Sequence, residues 1–232
     1  MRDDAGALFV TVSSPIQMIL VPAGAEYQAV CRGLRRGGEG QPAVQAIPAG
    51  QAVGAWLARR TFSGGVLVMG LGGSLQPGLA VGDRVLCETC QFLKPTDRAV
   101  YAGDATLHDW LRDRLELQRG VAVTSDRIVT EAAEKRAIAQ RTGTQVIDME
   151  GAIVFRQLQA QGVAVAMIRV ISDDCHHNLP GMTGTIGPDG RLRGGAIAVR
   201  FLQNPQAAAR LIRGSLMGLK QLEQTAIALF AA

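Results

Sequence analysis

Residues 145–171, QVIDMEGAIVFRQLQAQGVAVAMIRVI, contain the clearest secondary-structure pattern in the chain. Gln145–Met149 is a short apolar run that predicts a strand, and Glu150–Gln161 has the spacing of a helix that ends at Gly162. Val163–Ile171 is almost continuously apolar, as is typical of a strand buried on both faces. This order of strand, helix and strand predicts an α/β fold.

The same alternation extends through the rest of the chain. Strands are predicted at Leu8–Val12, Gln17–Val21, Val66–Met69, Arg84–Phe92 and Val121–Thr124. Helices are predicted at Ala25–Arg36 and Gln51–Arg60, after Asp104, near Thr130, and after Asn204-Pro205. We therefore expect a single domain over residues 1–232, with a twisted, mixed central β-sheet flanked by helices in three layers.

Charge and composition limit the classes of partner. The net charge is only +4, and 6 Phe, 2 Trp and 2 Tyr offer few stacking surfaces, so a nucleic-acid partner is not predicted. Residues 5–25 carry no charge, but Ser13–Pro15 interrupts them and Asp3 and Asp4 precede them. This pattern fits neither a signal peptide nor a membrane span, and a cytoplasmic location is expected.

Two groups of residues invite a metal-site interpretation. Cys87 and Cys90 have CxxC spacing, but residues three apart on a strand point to opposite faces, so these cysteines are predicted to be free thiols, as are Cys31 and Cys175. The run from Asp173 to His177 lacks a distant fourth ligand. No metal site is predicted.

Gly70–Ser74 follows a predicted buried strand and resembles a phosphate-binding loop. A dinucleotide fingerprint requires a helix directly after the glycines, whereas Pro77–Asp83 predicts a turn that leads into another strand. Two interpretations remain: a glycine turn that lets a flat ligand approach the backbone amides, or a simple tight turn between strands.

Acidic residues follow two of the predicted strands. Glu150 comes directly after Gln145–Met149, and Asp173 follows Val163–Ile171. If these strands were parallel neighbours, both acids would face the crevice at their carboxyl ends. The alternative for Glu150 is a first-turn acid that only interacts with the dipole of its own helix.

Five short segments carry a family resemblance: 125–127, 134–135, 148–150, 169–173 and 179–180. Together with the Gly-rich segment 70–83, they resemble the purine nucleoside phosphorylase and nucleosidase superfamily. They are most similar to its hopanoid-associated branch, which is taken to remove adenine from adenosylhopane.

The resemblance implies a role for individual residues. Asp173 would protonate purine N7, and Glu26 would position an attacking water. The implied substrate-binding residues are Glu150 and Met149 at the ribose, Ile128, Val129, Gly72 and Gly73 at the base, and Ser172 beside the acid. Leu71 and Val68 stand where phosphorolytic relatives often have a phosphate-binding Ser and Arg, and Arg127 is a candidate replacement charge.

The implied activity is cleavage of the N-glycosidic bond of an adenine nucleoside with a bulky 5′ substituent, without metal or organic cofactor. Phosphate as co-substrate and water remain alternative nucleophiles. A methylthioadenosine/adenosylhomocysteine nucleosidase and a non-catalytic nucleoside-binding module are the alternative functions. The resemblance also implies a homo-oligomer, commonly a homodimer.

The last predicted helix suggests an additional partner. Its apolar positions are predicted to form one stripe, Leu211, Ile212, Leu216, Leu219 and Leu222. Arg210, Arg213 and Lys220 accompany them. A core-packing helix is one interpretation, and weak association with an anionic membrane surface is the other.

Overall fold

The computed structural model describes residues 14–37, 40–94, 99–181 and 201–230. The strands within these ranges are Ile16–Pro22 (β1), Ala43–Ile47 (β2), Gly65–Ser74 (β3), Arg84–Phe92 (β4), Val100–Ala102 (β5), Gln118–Thr124 (β6), Val146–Asp148 (β7) and Ala164–Asp173 (β8). The helices are Ala25–Leu34 (α1), Ala52–Leu57 (α2), Ala105–Arg112 (α3), Ala132–Thr142 (α4), Gly151–Gln159 (α5) and Pro205–Phe230 (α6). The predicted strand Leu8–Val12 lies outside the described residues.

The strands form one mixed sheet that closes on itself. β3 pairs with β8, β8 with β4, β4 with β6, β6 with β7, and β7 returns to pair with β3. β1 and β2 extend the sheet from β3, and β5 extends it from β4. The predicted mixed α/β sheet is confirmed, and the closed ring is a feature that the sequence pattern did not indicate.

Helices cover both sides of the sheet. β8 is apolar on both faces, and each apolar face must pack against a helix layer. Val165 and Met167 pack with α2 and α5, whereas Ala166 and Ile168 pack with α1, α3 and α6. A third cluster joins α4 to β6 and β7. Successive side chains of a strand point to opposite faces, so one continuous apolar strand supplies two cores.

Several local predictions are confirmed and others are wrong. The Asp104 side chain caps α3 by accepting from Leu107 N, and Asn204 Oδ1 accepts from Ala207 N at the start of α6. The edge strands β2 and β5 were not predicted; β2 was not distinguished from its flanking loops, and β5 has only three residues. Gly70–Ser74 is not a turn, because it continues β3 to its end.

The prediction that Cys87 and Cys90 point to opposite faces is also wrong. The pairing of β4 with β6 shifts register between Cys87 and Thr89, and this irregularity brings both thiols into the same core cluster. Burial raises the pKa of Cys87 to about 12, so its thiol is neutral and unreactive. Both are free thiols, as predicted.

The predicted apolar stripe of α6 is only partly buried. Leu222 lies in the core with Ala226 and Leu229, but Ile212 and Leu216 are 46% and 62% exposed. Small residues form the rest of the buried face, since Gly214 and Gly218 let α6 approach the backbone of Ser172. No described helix is long and apolar enough to cross a bilayer.

Candidate active site

A cavity of about 550 Å³ lies where β1 and β7 separate along one edge of β3. On that edge β1 pairs with β3 as far as Val68, and β7 pairs with it from Gly73 onward. All nine predicted site residues line the cavity: Glu26, Gly72, Gly73, Ile128, Val129, Met149, Glu150, Ser172 and Asp173. Its size is that of a small-molecule site.

The gap between β1 and β7 positions Glu26. Leu71 lies in this gap, and its backbone N–H donates to Oε2 of Glu26 at 2.6 Å instead of to a strand. Burial raises the pKa of the Glu26 carboxyl to about 7, although the Leu71 N–H and the charge of Arg169 act in the opposite direction. Glu26 is therefore a carboxyl group that can exchange a proton near neutral pH.

Arg169 is the centre of a buried network behind the cavity. Its Nε and Nη2 donate to Oδ2 of Asp148 at 3.0 and 2.5 Å, and Nη2 lies 3.4 Å from Oε2 of Glu150. Thr124 Oγ1 and the N–H of Gly151 also donate to Asp148. Burial disfavours the guanidinium charge, but Asp148 and Glu150 outweigh it and raise the pKa of Arg169 above its ordinary value.

The remaining nitrogen of this guanidinium points toward Glu26. Nη1 of Arg169 is buried and has no hydrogen-bond partner among the described residues. A methyl group on Gly70 would collide with Nη1 and would lie 2.7 Å from Oε2 of Glu26. Because position 70 has no side chain, a small space remains between Nη1 of Arg169, a donor, and Oε2 of Glu26, an acceptor. A buried donor without a partner is costly, which favours a bound polar group there.

Glu150 is held by the loop before α2. Gly50 N–H donates to its Oε1 at 2.6 Å, and Gly50 has the left-handed φ of +64°. Burial raises the pKa of Glu150, and Arg169 opposes the rise. The side chain therefore reaches across to another segment, and the alternative of a simple helix-dipole acid does not describe it.

Asp173 is held by two donors at the end of β8. Lys135 of α4 donates from Nζ to Oδ2, and Ser172 Oγ lies 2.9 Å from Oδ1. Ser172 Oγ also lies 3.3 Å from the carbonyl oxygen of Gly72. The carboxyl group of Asp173 thus has polar partners on both oxygens, and its side chain is 15% exposed.

The two acids reach one cavity by a different route from the one predicted. β7 and β8 are not parallel neighbours, because both pair with β3, β7 in antiparallel and β8 in parallel orientation. The end of β8 pairs with Gly73 of β3, and the start of α5 follows β7 directly. Glu150 and Asp173 therefore converge through β3, whose Gly73 has no side chain to separate them.

The predicted base-binding residues form the apolar wall of the cavity. Val129 is buried, Ile128 also belongs to the lining, and Gly72 and Gly73 form part of β3; Met149, predicted at the ribose, lines the cavity as well. A side chain on Gly73 would come within 2.9 Å of Oδ2 of Asp173. The absence of a side chain at Gly73 therefore lets the Asp173 carboxyl lie close to β3, whereas both interpretations of this segment as a turn are wrong.

The candidates for an anion site offer little at this cavity. Arg127 lines the cavity but pairs with Glu134, and the apolar Val68 is fully buried in the core. The Asp174 carboxylate accepts from the backbone N–H groups of His176 and His177 and contacts the His177 ring. Within the described residues, no group of three or more His, Cys, Asp or Glu side chains could hold a metal ion.

Sequence reasoning assigned no role to Arg169, Asp148, Lys135 or Gly50. One signal was present: a charged residue inside the apolar run Val163–Ile171 must be buried and therefore must have a partner. Lys135 gave no such signal, because a lysine on a helix is usually exposed.

A larger hollow of about 800 Å³ lies elsewhere, between Gly82–Arg84, 112–118 and Gln221. The ionisable side chains that line it include Arg84, Arg112 and Glu116, none of which is buried. The enclosed acids belong to the smaller cavity, which we take as the candidate active site.

The sequence matches the family model described as phosphorylase superfamily over residues 48–202, about two thirds of its length. The chain belongs to the phosphorylase superfamily. This membership confirms the prediction of a phosphorylase- or nucleosidase-type enzyme, and the matched residues include most of the cavity lining. A search of curated protein sequences finds no significant match.

Solved structures confirm the fold. The native futalosine hydrolase of Helicobacter pylori aligns with a TM-score of 0.66 and 15% identity, covering 91% of this chain and 95% of that one. The 5′-methylthioadenosine/S-adenosylhomocysteine nucleosidase of Neisseria meningitidis, in complex with methylthio-immucillin-A, aligns with a TM-score of 0.63 and 16% identity, covering 92% and 99%. At these identities the similarity concerns the fold.

Proposed function

We propose that this protein hydrolyses the N-glycosidic bond of an adenine nucleoside with a bulky apolar 5′ substituent, of the adenosylhopane type. The observation that carries the proposal is the convergence of three carboxyl groups, those of Glu26, Glu150 and Asp173, on one cavity. Glycosidic cleavage passes through a state with cationic character at the sugar, and it requires an acid for the leaving group and a base for the nucleophile. Adenine as the base follows from the sequence resemblance.

Asp173 is proposed to act on the leaving group. As the C1′–N9 bond breaks, its electron pair passes to the purine, and the Asp173 carboxyl transfers its proton to N7. Oδ1 is suited to hold that proton, because Lys135 occupies Oδ2 and the Ser172 hydroxyl can turn to the carbonyl oxygen of Gly72. After the transfer, the same hydroxyl can donate to Oδ1 and stabilise the carboxylate.

Water is proposed as the nucleophile at Glu26. The free Nη1 of Arg169 can donate to the water oxygen while the Glu26 carboxylate accepts a proton as the oxygen attacks C1′. A carboxylate at this position would repel phosphate. Leu71 and Val68 offer no anion contact from their side chains, and Arg127 is already paired with Glu134. These features favour hydrolysis over phosphorolysis.

Glu150 is proposed to accept hydrogen bonds from the ribose hydroxyls, with Met149 packed against the sugar. Gly50 and Arg169 hold the Glu150 carboxyl from behind, so the group is oriented before the substrate binds. Such preorganisation lowers the cost of placing C1′ between the acid and the water.

The apolar part of the lining supports a bulky 5′ substituent. Leu179 and Leu211 belong to the cavity wall, and Leu211 lies on α6 next to the exposed Ile212. A lipid-linked nucleoside could extend along this helix. A smaller 5′-alkylthio nucleoside, as in methylthioadenosine, would leave this apolar surface uncovered.

The test is adenine release measured by chromatography with adenosine, methylthioadenosine and 5′-octylthioadenosine, each with and without phosphate. We expect release without phosphate, fastest with the octylthio compound. Phosphate-dependent release that yields ribose 1-phosphate products would overturn the choice of water. A preference for methylthioadenosine would favour the smaller-substrate nucleosidase, and binding without adenine release would indicate a non-catalytic module.

A further inference from the structure

We infer that Lys135 is a positioning residue for the proton donor: its buried ammonium stabilises the carboxylate that Asp173 becomes when it protonates the base. The inference rests on the proposed function, because it requires Asp173 to be the acid. It concerns a residue of α4 that does not line the cavity and reaches the reaction only through Asp173.

The burial of Lys135 is unusual for its type. Its side chain is 1% exposed, and Nζ contacts Oδ2 of Asp173 and donates to the carbonyl oxygen of Asp174 at 2.9 Å. A lysine ammonium is stable in such a place only when it is paired and hydrogen-bonded. The positive charge of Lys135 is therefore paired with Asp173, and solvent screens this ion pair only weakly.

A purely structural role for this contact would be redundant. Three other hydrogen bonds already tie the segment after β8 to the start of α4. Arg136 Nη1 donates to Cys175 O at 2.9 Å, Ala132 N donates to Asn178 Oδ1 at 2.8 Å, and Leu179 N donates to Thr130 O at 2.8 Å. Lys135 is the described cation that reaches the carboxyl group itself.

The surroundings leave Lys135 as the charge closest to Asp173. From β3, the neighbour is Gly73, which has no side chain. From β8, Ser172 contributes a hydroxyl, and the Asp174 carboxylate is turned toward His177. Arg127, from the loop before α4, is paired with Glu134.

A fixed cation at Oδ2 favours proton transfer from Asp173 to the base. During cleavage the O–H bond of Asp173 breaks, an N7–H bond forms on the purine, and the carboxyl gains a full negative charge. A preorganised positive charge stabilises this product state more than the neutral acid, and so lowers the barrier to proton transfer. The ion pair in the structure has the charges expected after the transfer, so each turnover requires Asp173 to take up a proton from solvent, which reaches its partly exposed side chain.

The experiment compares Lys135→Met with Asp173→Asn on two substrates, 5′-octylthioadenosine and its 4-nitrophenyl riboside counterpart, whose leaving group departs without a proton. We expect Lys135→Met to lower kcat roughly 10- to 100-fold on the adenine compound and only a few-fold on the nitrophenyl compound. In the double variant with Asp173→Asn, the lysine substitution should have little further effect, because it acts through Asp173.

Arg136→Met is the matched control, since it removes a neighbouring hydrogen bond to the same segment and does not contact Asp173. Its kcat should fall only slightly, and to the same extent on both substrates. Lys135→Gln, which can keep the bond to Asp174 O, replaces Lys135→Met if the latter does not fold. Equal losses on both substrates, no loss, or full additivity with Asp173→Asn would overturn the inference. If Asp173→Asn loses activity equally on both substrates, the proposed acid is wrong and the inference falls with it.

Discussion

Arg169 and Asp148 form an ion pair in which both side chains are completely buried, with Nε and Nη2 of the arginine donating to one carboxylate oxygen. The pair joins β7 to β8, two strands that do not hydrogen-bond to each other. It also orients Glu150 and leaves Nη1 facing Glu26. Arg169 therefore contributes both to the buried core and to the geometry of the candidate active site.

Replacing Arg169 with methionine should destabilise the protein strongly. Asp148 and Glu150 would remain buried without their cation, a situation that typically costs about 3–5 kcal/mol. The free energy of unfolding from urea titration measures the effect. The double variant with Asp148→Asn should recover part of the loss, because one uncompensated charge is then absent. A double variant that is less stable than Arg169→Met would contradict this account.

Glu26 should give the reaction an acidic limb near neutral pH. Its carboxyl pKa is raised by burial to about 7, and the carboxylate is the form that accepts a proton from water. The value of kcat/KM should therefore rise as the pH increases through 7, and Glu26→Gln should lose roughly 100-fold or more in activity. A wild-type profile that is flat between pH 5 and 8 would exclude Glu26 as the base.

The same pKa shift has an opposite consequence for stability. A carboxyl whose folded-state pKa is raised binds its proton more tightly in the folded protein, so its contribution is complete below about pH 4.5 and is lost as the pH rises through 7. Glu26→Gln should therefore gain thermal stability relative to the wild type between pH 5 and 8. Thermal melts at several pH values check the sign.

Gly70→Ala should impair both activity and stability. The new methyl group would occupy the space between Arg169 Nη1 and Glu26, where the attacking water is proposed to lie. We expect kcat to fall at least about 10-fold and Tm to fall as well, because the buried Arg169 must shift away from the new methyl group. Gly78→Ala is the control, since nothing lies within 4 Å of its added Cβ, and its kinetics should match the wild type.

Asp173→Asn and Asp174→Asn should differ sharply. Asparagine has nearly the same shape as aspartate but cannot deliver a proton, so Asp173→Asn should bind nucleoside and lose roughly 100-fold or more in turnover. Asp174 accepts from the backbone of the turn at His176 and His177, away from the cavity. Asp174→Asn should affect mainly the turn. Kinetics in which Asp174 is the more sensitive position would refute the assignment.

The exposed face of α6 should bind anionic vesicles weakly. Ile212, Leu216 and Met217 share it with Arg210 and Arg213, so apolar and basic groups face solvent together. Co-sedimentation with phosphatidylserine vesicles should show binding that decreases with salt. Ile212→Ser with Leu216→Ser should reduce it, whereas Val100→Ser, at an exposed apolar residue of β5, should not. Absence of wild-type binding at low salt would exclude membrane association.

The order of most strands and helices and the positions of the acids could be predicted from the sequence, although the edge strands β2 and β5 were missed. Val163–Ile171 is long and apolar enough to predict a strand that is buried on both faces. Gly162 lies shortly after Gln159, where α5 ends. Glu150 and Asp173 could be recognised as candidate site residues because each follows a predicted strand. These properties depend on neighbours within a few residues of each other in the chain.

How these parts meet depends on contacts between segments that are distant in the sequence. The gap between β1 and β7 along β3 leaves the N–H of Leu71 free for Glu26, and the irregularity in β4 brings Cys87 and Cys90 to one face. The partners of Arg169 and Lys135 lie about 20 and 38 positions away in sequence. No local pattern specifies a partner at that distance, because a buried charge requires a counter-charge but does not indicate which segment of the chain supplies it.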